Sequence, residues 1–229
     1  MKKINLSCLV LIFFSCFLQA DNKYPFEALI LDYSYSDLEP HIDQETMKIH
    51  YECHYKNYLA KLNEALLKSD NLHKIMSIED LVVCNSLPKA LEKKIKDFGG
   101  GFINHSIYFD QFSPVNKVKI SPDGALLKAI EKYFKSVDNF KLEFNKKAMS
   151  LFGSGWVWLI LKPNGYLKII TRKNQDPPHT IGIPLIGIDM WEHAYYLKHN
   201  CKKIDYVNSF WAVLDWAKIE KRFELKCLK

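Results

Sequence analysis

Asp189 and His193 stand four residues apart just after an apolar run, Ile183-Pro184-Leu185-Ile186-Gly187-Ile188. The run reads as a short buried strand leaving a Pro- and Gly-marked turn. Asp189 then sits at the strand end and His193 near the start of the following helix. A carboxylate and an imidazole so placed can converge on one cation, and the apolar strand would keep the site dry and rigid. The plain alternative is that Asp189 caps the helix and His193 is a satisfied core histidine. Upstream, His50, His54 and Tyr58 recur at intervals of four and share one helix face with Met47 nearby. Each polar tip on such a face needs a partner once desolvated. The alternative there is an amphipathic helix whose aromatic residues cover a core.

The elements that must position these residues follow from caps, breakers and period. Asp43 is a candidate cap for a helix running to about Leu59, with Glu45 in its first turn. Residues 85–88 interrupt the helical pattern, and a second helix is expected from about Lys89 to Asp110. It contains Gly99-Gly100-Gly101, and glycine inside a helix costs about 1 kcal/mol against alanine. Three in a row make sense where another backbone or a metal centre must come close. Asn104-His105-Ser106 matches a glycosylation acceptor, an accidental match if the helix is buried. A turn-rich connector, Ser113 to Gly124, marks a domain boundary. Helices Ala125 to Phe134 and Val137 to Leu151 follow. The period then changes to that of strands: Gly153 to Leu161, a Pro163-Asn164-Gly165 turn, and Tyr166 to Thr171. With residues 183–188 they make a small antiparallel sheet of three strands. Trp156 and Trp158 fit an ordinary strand core.

Met1-Lys2-Lys3, the apolar Leu6 to Leu18 and the Leu18-Gln19-Ala20 site together read as a secretory signal peptide over residues 1–20. The apolar run is shorter than the ~20 residues of a membrane span, so no stable span is expected after cleavage. Cys16 is a weaker candidate for lipid attachment. Cleavage after Ala20 leaves 30 basic residues against 26 acidic, lowering the net charge from +6 to +4. That balance can steer a small anion but is too scattered for nucleic acid. Cys53, Cys84, Cys201 and Cys227 survive processing without a Cys-x-x-Cys pair, so no zinc or redox motif is indicated. Export permits disulfides, and Cys201 with Cys227 is one possible pairing.

Asp189-Met190-Trp191-Glu192-His193-Ala194-Tyr195 resembles the C-terminal metal signature of the iron/manganese superoxide dismutases. The string from Leu31 through Leu38-Glu39-Pro40 and Thr46-Met47 to His50 resembles the opening of the same family. Asn104-His105-Ser106 and Phe152-Gly153-Ser154-Gly155-Trp156-Val157-Trp158 match further family patterns. The likeness runs from about Tyr33 to Trp216. It implies an α+β fold: an N-terminal helical hairpin (21–112) and a C-terminal mixed α/β domain (113–229) with a three-stranded antiparallel sheet. It also implies His50, His105, Asp189 and His193 as ligands of one manganese ion per subunit, iron being possible. Trp156 would floor the metal pocket, and His54 and Tyr58 would line the substrate funnel.

Iron enzymes of the family bring a glutamine to the metal's solvent from the helix position that is Gly101 here. Manganese enzymes bring it from the loop after the second strand, which here carries Gln175, so the pair Gly101 and Gln175 resembles the manganese type. Phe102 and Phe109 depart from the family's frequent histidine and tryptophan, keeping an aromatic wall while altering its packing. The implied activity is disproportionation of superoxide to dioxygen and hydrogen peroxide by cycling the ion between its +3 and +2 states. Gln175, Tyr58 and His54 would supply protons. The resemblance further implies a homodimer in which Glu192 reaches the partner's ligand histidine and Tyr195 meets the partner's His54. A non-haem iron oxygenase would use two histidines and one carboxylate; the third imidazole argues against it. An exported, non-catalytic metal-binding protein on the same scaffold is the competing reading.

Overall fold

Asp43 starts the first long helix. Its carboxylate accepts from the Thr46 N–H at 2.9 Å and from the Thr46 hydroxyl at 2.6 Å, satisfying donors that a helix start leaves open. The computed structural model describes residues 23–227, with side chains through residue 225. The expected signal peptide, Cys16 and the Cys227 side chain lie outside the described residues, while Cys201 is an exposed free thiol.

Helix α1 (Gln44–Ile49) widens into a π-helical segment, His50–Tyr55, and resumes as α2 (Lys56–Leu67). The spacing predicts one regular helix here, because a π segment inserts a residue without altering composition. The segment's tyrosines hold the preceding extended chain. The Tyr51 hydroxyl donates to the Leu29 carbonyl, and the Leu29 N–H donates to the Tyr55 hydroxyl at 2.9 Å. Two short helices, α3 (Asn71–Lys74) and α4 (Ile78–Val83), lead to the return arm. That arm is α5 (Lys89–Lys94), a second π segment, Ile95–Gly99, and α6 (Gly100–Asp110). The expected helix from Lys89 to Asp110 is therefore continuous but not uniform.

Helices α7 (Gly124–Phe134) and α8 (Val137–Ser150) precede the sheet. Strands β1 (Gly155–Leu161), β2 (Leu167–Lys173) and β3 (Ile183–Asp189) run antiparallel in the order β2-β1-β3. Every residue of central β1 is buried, whereas buried and exposed positions alternate through the first half of β2. Trp156 pairs with Asp189 across β1 and β3, so the end of the sheet delivers both to one place. A 3₁₀ turn, Glu192–Ala194, follows, then α9 (Tyr196–His199), α10 (Lys203–Val213) and α11 (Trp216–Cys227). His193 thus lies in the 3₁₀ turn, ahead of the expected helix. Phe140, Phe144, Phe210 and Trp216 are fully buried among these helices. Among the described residues, no helix is long and apolar enough to cross a membrane.

Candidate metal centre

Four elements converge on one point. His50 comes from the start of the first π segment, His105 from α6, Asp189 from the end of β3 and His193 from the 3₁₀ turn. One donor atom from each lies within 4.8 Å of all the others. The Nε2 atoms of His50, His105 and His193 stand 3.2, 3.5 and 3.2 Å from Asp189 Oδ2. The other oxygen, Oδ1, accepts the Trp191 N–H at 2.8 Å, which fixes the carboxylate plane. His105 Nδ1 lies 2.6 Å from the Gly101 carbonyl. That contact requires the proton on Nδ1 and leaves the Nε2 lone pair directed at the cluster.

Electrostatics favour neutral His50 and His105 beside an ionised carboxylate. Burial pulls the His50 imidazole down to about 4. Burial, then the nearby His50, holds His105 well below the ordinary imidazole value. For Asp189 burial alone would raise the carboxyl; the attraction of His193 and its hydrogen bond at 3.2 Å outweigh it and hold the group well below the carboxylate range. Among the described residues, His50 Nε2 and His105 Nε2 have no hydrogen-bond partner although both are buried. A buried polar atom left unpaired costs roughly 1–3 kcal/mol. A cation between these lone pairs and the carboxylate removes that cost. Three imidazoles and one carboxylate suit a first-row transition ion and leave a coordination position open. The residues fit the group.

The surrounding amides form one chain. The Trp156 indole N–H donates to Gln175 Oε1 at 3.0 Å, and Asn104 Nδ2 donates to the Gln175 carbonyl at 3.1 Å. Gln175 Nε2 in turn donates to the Tyr58 hydroxyl at 3.2 Å. Burial, with the Asp189 charge adding, raises the Tyr58 phenol above its ordinary value. The glycines explain the close fit. A Cβ at Gly100 would collide with the Gln175 carbonyl, and one at Gly101 with the Tyr58 ring. Gly99 meets only side chains, so two of the three glycines carry the close approach.

His54 stacks on His193 with ring centroids 4.0 Å apart. Trp156 lies edge-on to His105 at 5.1 Å. Phe109 and Phe102 keep an aromatic wall: Phe109 lies 5.1 Å from the His50 ring, and Phe102 stacks on Tyr55 at 5.5 Å. Tyr195 is buried against Tyr206, while Glu192 is exposed. Sequence reasoning passed over Asn104 except as an accidental glycosylation match. Its side chain is fully buried and holds Gln175, which leaves no room for a glycan. It also passed over Trp191, whose indole donates to the Asn174 carbonyl at 3.2 Å, tying the ligand turn to the glutamine loop. Only its place between two ligands could have pointed to it.

The lowered imidazoles make the metal-free chain sensitive to acid. Once the pH falls below the unfolded histidine value of about 6.5, the unfolded chain binds protons that folded His50 and His105 refuse. Stability present above that value is lost as the pH falls toward the His50 value of about 4. The melting temperature of metal-free protein is therefore expected to be steady near pH 7 to 8 and to fall through pH 6 and 5. A flat profile over that range would contradict neutral, buried imidazoles.

Comparison with known families agrees with this geometry at both ends of the chain. Residues 25–113 match the alpha-hairpin domain of the iron/manganese superoxide dismutases, and residues 122–222 match their C-terminal domain. His50 and His105 fall in the first match and Asp189 and His193 in the second, so the cluster is assembled from both domains. The chain belongs to the iron/manganese superoxide dismutase family.

Proposed function

We propose that the protein is an exported superoxide dismutase of the manganese type, acting as a homodimer. His50, His105, Asp189 and His193 would hold the ion, and manganese or iron bound there would supply reversible one-electron chemistry. The balance is two superoxide ions and two protons giving one dioxygen and one hydrogen peroxide. The chain's own contribution is protonation and exclusion of water. Tyr58 is protonated at neutral pH as any phenol is, burial makes its proton harder still to remove, and Gln175 Nε2 donates to its oxygen at 3.2 Å. Trp156 and Asn104 fix the glutamine amide so that its N–H₂ end turns toward Tyr58. Trp156 and Tyr108 are fully buried beside the cluster and keep it dry; a low dielectric strengthens each of these contacts.

The observation that carries the reading is the convergence of three imidazole nitrogens on one buried carboxylate oxygen. The manganese reading rests on Gln175 arriving from the loop after β2 while Gly101 leaves the helix position without a side chain. The dimer reading is supported by a cleft of about 460 Å³ beside His193, lined in part by Phe152, Ser154, Glu192 and Tyr195. Phe152 is 96% exposed there, an apolar ring that a second copy would cover. Export rests on the leader-like residues 1–20.

Reconstitution of the chain from Asp21 onward with manganese and, separately, with iron tests the proposal. High superoxide disproportionation with manganese alone, from a particle sedimenting at twice the chain mass, is expected. Equal activity with both ions would overturn the metal assignment. One bound ion per chain with no activity would support a non-catalytic metal-binding protein instead.

A further inference from the structure

The outer edge of β3 is closed by side chains. On one side Gly187 pairs with Trp158 of β1. On the other, its backbone meets the buried amide of Gln111, the residue that ends α6. Gln111 Nε2 donates to the Gly187 carbonyl at 2.6 Å, and the Gly187 N–H donates to Gln111 Oε1 at 3.1 Å. One amide thus gives Gly187 the donor and acceptor that a neighbouring strand would offer. Two residues earlier, Arg222 of α11 donates to the Leu185 carbonyl at 2.5 Å and, through its other nitrogen, to the Asp110 carboxylate at 2.7 Å. The end of α6 is therefore bound to β3 at Gly187 directly and at Leu185 through Arg222.

The position of this clamp matters. Gln111 follows His105 by six residues, and Gly187 precedes Asp189 by two. His105 and Asp189 come from different domains, yet His105 Nε2 must stand 3.5 Å from Asp189 Oδ2. A Cβ at Gly187 would collide with the Trp158 indole, so that ring packs directly over the face of the residue whose edge the Gln111 amide holds.

We propose that Gln111 is a positioning residue for the metal centre: its amide, backed by the Asp110–Arg222 pair, sets the spacing between His105 on α6 and Asp189 on β3. The inference rests on the reading of those residues as metal ligands. Without the amide, the buried N–H and C=O of Gly187 lose their partners, and the strand end carrying Asp189 can relax away from α6. Groups that orient ligands from outside typically change metal affinity by roughly 10–100-fold when removed.

The test uses the manganese-loaded full chain and its Gln111→Leu variant. Ser113→Ala is the control, because Ser113 Oγ, two residues past Gln111, donates to Asp215 at the α10–α11 junction at 2.7 Å in another buried bond. Gln111→Leu is expected to change the zero-field splitting of bound Mn(II) in electron paramagnetic resonance. It should also speed manganese release to a chelator by roughly 10-fold or more. Ser113→Ala should lose thermal stability while its spectrum and release rate stay those of the parent. Asp110→Ala, at a half-exposed side chain, should shift the spectrum in the direction of Gln111→Leu but less, and it decides the matter if Gln111→Leu fails to fold. Unmoved spectra in Gln111→Leu, or in Asp110→Ala where that variant decides, overturn the clamp, as do equal shifts in Gln111→Leu and Ser113→Ala. A parent chain that binds neither manganese nor iron overturns the ligand reading and the clamp together.

Discussion

Asp189→Asn is expected to retain the fold and lose the metal. The carboxylate is the only anionic donor in the cluster, and its Oδ2 is the atom on which all three Nε2 atoms converge. An amide in its place removes the full negative charge that offsets a cation in a buried site and presents a weaker donor. Trp191 N–H still finds an amide oxygen, so the strand end keeps its anchoring bond. Groups merely outside the ligands cost about 10–100-fold in affinity; loss of this ligand should exceed the upper end. After dialysis against a chelator, elemental analysis should find less than about a tenth of the parent's metal, with disproportionation reduced in proportion. Folding of the metal-free variant by circular dichroism should match the metal-free parent. A variant that keeps one ion per chain would remove Asp189 from the ligand set.

Gly101→Ala should have the second-largest effect, and through a different route. The added methyl would lie against the Tyr58 ring, on a helix whose backbone is itself packed against Gln175. Overpacking of this kind costs about 1–3 kcal/mol, which for a chain of this length lowers the melting temperature by roughly 2–4 °C per kcal/mol. Displacing the ring also lengthens the 3.2 Å contact from Gln175 Nε2 to the Tyr58 hydroxyl. Activity should therefore fall more than metal content does. The steric cause has a direct check. In a Tyr58→Ala background the same Gly101→Ala change should cost little stability, so the pair should be strongly non-additive. Additive losses would mean that the methyl harms the helix itself.

Some of this protein was legible from residue types and spacing alone. Asp43 as a helix cap, the two long helical stretches broken at residues 85–88, the three antiparallel strands and the apolar approach to Asp189 all rest on local rules, and the structure keeps each of them. The four clustered side chains were nameable as one ligand set only through the resemblance of their motifs to the family; spacing by itself singled out Asp189 with His193 and the helix face that carries His50. The glycines carried a local signal, since their cost inside a helix called for a close neighbour, met at Gly100 and Gly101.

What local rules could not decide was every relation between segments far apart in the chain. The π segments at His50–Tyr55 and Ile95–Gly99 add a residue to a turn without altering the apolar pattern, so only coordinates reveal them. Asn104 carried a misleading surface motif, and burial against Gln175 overrides it. Gln111 carried no motif at all, because an amide becomes a strand's partner only when a helix end happens to meet an open edge. The residue types determined by themselves which chemistry was available. The tertiary structure decided where it gathers, since a buried donor acquires its role from what desolvates it and what it can reach.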